Sequence, residues 1–148
     1  MLKILRVIAR SGLRSEPLPT PDAERLPEQR LHAELRALLG RALCIRQVDA
    51  GSCNGCELEI HALGNAYYNL EGAGIHFVAS PRHADLLLVT GPVARNMREA
   101  LLRTYQAMPP PRLVVAVGEC GCTGGIFGES YASCGAVANV LPVDASVS

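Results

Sequence analysis

Leu86-Leu87-Leu88-Val89 places four apolar side chains in a row with no polar interruption. A strand with one wet face alternates apolar and polar residues. An unbroken apolar run needs cover on both faces, which is the habit of parallel sheets flanked by helices. The strand is expected over residues 84–90 and ends at Gly91-Pro92. Residues 44–49, 75–79, 113–117 and 140–144 read as four further strands, the last at an edge because it contains Pro142. Residues 58–68 and 94–108 carry helical patterns, the second stopped by Pro109-Pro110-Pro111, and 131–138 is expected to form a short helix. Strands alternating with helices predict an α/β fold with a doubly wound, mostly parallel open sheet. Right-handed crossovers then bring the loops after strands one, three, four and five to one edge, where open sheets bind ligands.

Composition narrows the function classes. Hydrophobic residues make up 49% of 148, enough for a core, and the formal net charge is zero, so no basic footprint for nucleic acid exists. No apolar run approaches the roughly 20 residues that span a bilayer. The basic start is interrupted too often for a secretory signal, so the expected compartment is the cytosol. Residues 1–14 set Leu2, Leu5, Ile8 and Ala9 on one side of an amphipathic helix, which lies on a membrane surface, on a partner, or on its own domain. Residues 15–29 hold four prolines and read as a linker; 30–41 is a short helix. The expected division is an extension over 1–37 and a flavodoxin-like α/β domain over 38–148.

Six cysteines are many for a cytosolic domain whose core needs no disulfide staples, so metal or redox chemistry is indicated. Cys53 and Cys56 form a C-x-x-C pair after the first strand. Cys120 follows the fourth strand in a similar setting, Val117-Gly118-Glu119-Cys120. If those two strands are neighbours, the three thiols meet at one edge. A dithiol redox site explains the pair and leaves Cys120 idle. Zinc needs four tetrahedral ligands, and Cys120-Gly121-Cys122 has the wrong spacing for a second knuckle; His61, His76 and His83 lie at no ligand spacing from a cysteine pair. An iron–sulfur cluster takes thiolates from several loops and gains from glycine-rich backbone N–H donors. The cluster accounts for the most residues, with the zinc and dithiol sites as alternatives. Cys44 reads as a small core residue.

The order of five motifs resembles one family. Ser52-Cys53-Asn54-Gly55-Cys56-Glu57-Leu58-Glu59, Ser80-Pro81-Arg82-His83, Thr90-Gly91-Pro92, Gly118-Glu119-Cys120-Gly121-Cys122-Thr123-Gly124-Gly125 and Pro142-Val143-Asp144 are similar to the small electron-transfer subunit of membrane-bound NiFe hydrogenases of the formate hydrogenlyase kind. That family is homologous to the 20 kDa subunit of complex I. The resemblance covers about residues 38–145. It implies one 4Fe–4S cluster beside the active site of a large hydrogenase-like or 49 kDa-like subunit. Ferredoxin-like and membrane subunits would complete a complex on the cytoplasmic face of the inner membrane. The chain would relay electrons and catalyse nothing alone. Cys53, Cys56 and Cys120 are carried over as ligands, Glu59 as an acid on a proton path, and Gly55, Arg82 and Gly121 as the cluster's surroundings. The bland alternatives are a solvated helix residue for Glu59 and a turn residue paired with Asp85 for Arg82. C-N-G-C matches the hydrogenase branch, whereas complex I usually shows adjacent cysteines. One element departs: the family's Gly-Cys-Pro-Pro, source of the fourth ligand, does not follow Asp144 before Ser148. The expectation is a truncated C-terminus, with a 3Fe–4S cluster, a fourth ligand from elsewhere (Cys134 the substitute within the chain) or an empty site.

Overall fold

The computed structural model describes residues 25–148; the amphipathic start and the linker up to residue 24 lie outside them. Within them, α1 (Arg25–Leu39) precedes β1 (Leu43–Asp49), α2 (Gly55–Ala62), β2 (Ile75–Phe77), a 3₁₀ turn (Pro81–His83) and β3 (Leu86–Thr90). Then come α3 (Arg95–Ala107), β4 (Leu113–Val117), α4 (Gly118–Thr123), 3₁₀ turns at Gly125–Phe127 and Val137–Asn139, and β5 (Ala145–Val147). The sheet has five parallel strands in the order β2-β1-β3-β4-β5. This is the flavodoxin-like order, with its switch point between β1 and β3.

One face carries the core. Val48, Leu87, Val89, Val114 and Ala116 project there and pack with Leu101 and Met108 of the α3 region and with Val137 and Leu141. The other face is less covered than the apolar run predicts: Leu86, Leu88 and Val115 are only half-buried. The amino ends of β1 and β3 are braced by Asp85. Its buried carboxylate accepts the Cys44 N–H at 3.0 Å and pairs with the Arg41 guanidinium.

Several elements differ from expectation, each for a local reason. α1 starts at Arg25, so residues 25–29 are helical where a linker is expected; a proline in a first turn removes no helical hydrogen bond. α2 stops at Ala62, six residues early, because the Asn65 carboxamide accepts the N–H groups of Tyr67 and Tyr68 and builds a turn instead. Residues 131–138 form no α-helix. Ser130 Oγ accepts the N–H groups of Ala132 and Ser133, and isolated bridges join Ala94 to Ser133 and Glu129 to Cys134 ahead of the 3₁₀ turn at Val137. The last strand is an edge strand as expected but starts at Ala145, past Pro142. The Asp144 carboxylate takes the Val114 N–H at 2.7 Å where a strand backbone would otherwise do so.

Candidate metal centre

β1 ends in an Asx turn. Asp49 Oδ1 accepts the N–H groups of Gly51 (2.8 Å) and Ser52 (2.7 Å), and Ser52 Oγ accepts that of Asn54 (3.2 Å). These bonds set the exposed Cys53 on a fixed hairpin of backbone and start α2, which carries the half-buried Cys56 on its first turn. Burial pushes the Asp49 carboxyl up, but the Ser52 and Gly51 N–H groups and the Ser52 hydroxyl outweigh it, and its pKa falls below the ordinary 3.8. A depressed folded-state pKa contributes stability that is present above the unfolded value and lost as pH falls through the folded one. Acid unfolding below about pH 4 should therefore include an Asp49 contribution, and Asp49→Asn should flatten that limb by losing the same contribution already at neutral pH. Circular dichroism between pH 2 and 7 decides it; parallel curves for both proteins would sink the assignment.

The glycine turn expected at Cys120 does not form. Cys120 lies in α4, a helix too short and too poor in helix formers to be read from sequence. Nor are the two cysteine-bearing strands neighbours: β3 lies between β1 and β4. The loops close over its end because two glycines there permit close approach. Gly91, at the end of β3, has φ +75°, and a Cβ on it would lie 2.5 Å from Ser52 N. Gly118, the first residue of α4, has φ +78°, and a Cβ on it would lie 2.6 Å from Cys56 Sγ. A Cβ on buried Gly121 would lie 3.4 Å from the Val89 carbonyl oxygen, at the limit of ordinary contact. A Cβ on Gly125 would lie 2.8 Å from Cys120 Sγ, and one on Gly55 would lie 3.5 Å from Cys53 Sγ.

The three thiols form one electrostatic group. The Cys56 thiol is pushed up first by burial, then by the charges of Glu57, Cys53 and Cys120. The other cysteines lie elsewhere. Cys44 is half-buried at the amino end of β1 beside Arg41. Cys122 Sγ faces the carbonyl oxygens of Ala116 and Val147. Cys134 packs against the core, its N–H donated to the Val93 carbonyl oxygen at 2.7 Å. Among the described residues, no three His, Cys, Asp or Glu side chains converge tightly enough to hold a single metal ion. A cluster sets a looser condition, because each thiolate binds a different iron. Cys53 and Cys120 both bear electrostatically on Cys56, the closeness that a cluster would need.

Glu59 is exposed on α2. Arg82 is exposed on the 3₁₀ turn between β2 and β3 and does not pair with Asp85, whose partner is Arg41. The buried acid of α2 is instead Glu57, 6% exposed, with neither carboxylate oxygen hydrogen-bonded among the described residues. Its spacing of three from Ile60, the apolar anchor of α2, is the sequence signal for it. No helix among the described residues is long and apolar enough to cross a membrane.

Known proteins resemble the chain in sequence and in fold. The chain is 43% identical over 114 residues to formate hydrogenlyase subunit 7 of Escherichia coli (strain K12), covering 77% of this chain and 45% of that one. It is 39% identical over 128 residues to a Pyrococcus furiosus protein named for a membrane-bound hydrogenase subunit, covering 86% and 77%. The chain thus spans less than half of the first relative and about three quarters of the second. A subunit in the structure of the membrane-bound sulfane sulfur reductase, an archaeal respiratory membrane complex, superposes with a TM-score of 0.63 at 32% identity, covering 78% of this chain and 64% of that one. Residues 53–148, well over half of the chain, match the family model described as NADH ubiquinone oxidoreductase, 20 Kd subunit, and to that family the chain belongs.

Proposed function

We propose that this chain is the electron-relay subunit of a membrane-bound, hydrogenase-type oxidoreductase complex. Cys53, Cys56 and Cys120 would hold one 4Fe–4S cluster, with the fourth ligand supplied from outside these three. When bound, the cluster supplies a one-electron store between a large hydrogenase-like subunit and ferredoxin-like subunits. The observation that carries the reading is that three thiols from two elements share one electrostatic neighbourhood at the carboxyl edge of the sheet.

The chain's residues divide the remaining work. The Asp49 turn fixes Cys53. Gly118 and Gly125 let the backbone close around Cys56 and Cys120. Glu59, exposed on α2, is the acid available to a proton path. Leu58 (62% exposed), Ile126 (95%) and Phe127 (58%) flank the thiols and give a partner subunit apolar surface to cover, which would exclude water from the centre. The C-N-G-C spacing favours the hydrogenase branch over a quinone-reducing, complex I-type role. In either branch the complex works at the cytoplasmic face of the inner membrane.

Anaerobic reconstitution with iron and sulfide tests the proposal. It should yield about three to four irons per chain and a low-temperature EPR signal that responds to dithionite. Protein that takes up zinc and no iron would refute the relay and favour an assembly module.

A further inference from the structure

Beside α2 a cavity of about 630 Å³ opens between β1, the end of β2 and the helix, reaching Asn54 of the cysteine loop. Arg46, Asp49, Glu57, Ile60, His61 and Phe77 line it. Two buried polar groups there lack partners among the described residues: both oxygens of the Glu57 carboxylate and the Arg46 Nε. An ionised group buried without a partner is strongly unfavourable, and a short helix's N-terminal dipole offsets only part of that. Native proteins rarely keep such groups unless something binds them.

The lining selects the occupant. Asp49 and Glu57 against Arg46 leave one net negative charge, so the occupant is cationic. It is not a bare metal ion, because no three acid, His or Cys side chains converge there. Ile60 and Phe77 suit an aliphatic stem, as in lysine or arginine. Arg46 Nε needs an acceptor as well, and a peptide carbonyl beside the basic side chain provides one. We propose that this cavity receives a lysine or arginine side chain of a partner subunit, anchored on Glu57. Glu57 is thus a docking residue for the complex. The inference rests on the chain working among partner subunits and is independent of the cluster.

The test uses the natural complex carrying Glu57→Gln or Glu57→Asp, with partner dissociation followed against salt and EPR recorded on the same samples. Removing one member of a buried charge pair should weaken partner binding about 30-fold or more and flatten its salt dependence. Iron content and signal should hold, and Glu57→Asp should recover part of the affinity. The full chain without partners should be at least as heat-stable with glutamine, since an unpaired buried carboxylate has gone. Unchanged partner affinity overturns the proposal, as does a free chain destabilised by glutamine or a small cation released on denaturation while subunit affinity stays the same. A complex that holds no iron but still needs Glu57 to assemble would refute the relay and leave this inference standing.

Discussion

Cys120→Ala is expected to remove the iron–sulfur EPR signal and reduce bound iron from about three or four per chain to near zero after reconstitution. Cys53 and Cys56 come from a single loop and helix start, so two thiols three residues apart would be left to hold the centre. The fold should survive. Cys120 is only half-buried, and alanine is a better helix former than cysteine in α4, so the stability change should stay within about 1 kcal/mol. Loss of the signal would then report a missing ligand and not an unfolded protein. Cys122→Ala and Cys134→Ala are the matched controls: one thiol faces backbone carbonyls and the other the core, and both variants should keep their iron. The dithiol reading makes the opposite prediction, with Cys120 dispensable and Cys53 and Cys56 both required. A Cys120→Ala protein with an unaltered spectrum would end the assignment.

The sheet is legible because buried strands announce themselves. The unbroken run at Leu86 to Val89 and the similar run at Val114 to Val117 need no knowledge of what surrounds them. The shared edge follows from crossover handedness, whereas the strand order, with β3 between the two cysteine-bearing strands, does not. What sequence hides is short-range competition. Side-chain hydrogen bonds from Asn65 and Ser130 end or prevent helices that the apolar pattern alone would extend. Cys120-Gly121-Cys122 gives α4 no helical pattern, because its helix is held by packing on β3 and not by propensity. The sequence pattern sets the thiols at the right edge for an incomplete reason. Their strands are separated by β3, and the gap closes only because the residues crossing its end are glycines. Glu57 is harder to see than Glu59, since two acids in one turn look equally solvated until the helix is rotated onto its apolar anchor, Ile60.

That dependence on a glycine gives the second large effect, Gly91→Ala. Gly91 adopts φ +75°, and an alanine Cβ would stand 2.5, 2.6 and 2.7 Å from N, Cα and Cβ of Ser52. The left-handed conformation alone costs about 1–2 kcal/mol for a residue with a side chain. The contacts are with main chain, which cannot swing aside as a side-chain tip can, so relief must come from moving β3 or the Ser52 turn. Overpacking of that kind costs about 1–3 kcal/mol more. The expected loss is about 3 kcal/mol, a fall of about 10 °C in Tm for a protein of this size. The displacement also passes along the backbone. Ser52 is held by Asp49 Oδ1 and in turn holds the Asn54 N–H, so shifting it moves Cys53 between them and should impair cluster loading even in the folded fraction. Gly40→Ala separates the two causes. Gly40 also has positive φ, +67°, but an added Cβ there meets nothing within 4 Å, so it carries the conformational penalty without the clash. It should cost about 1–2 kcal/mol and load iron normally. If Gly91→Ala melts and binds iron no differently from Gly40→Ala, the two thiol loops do not close over β3 in the way that brings Cys120 to Cys53 and Cys56.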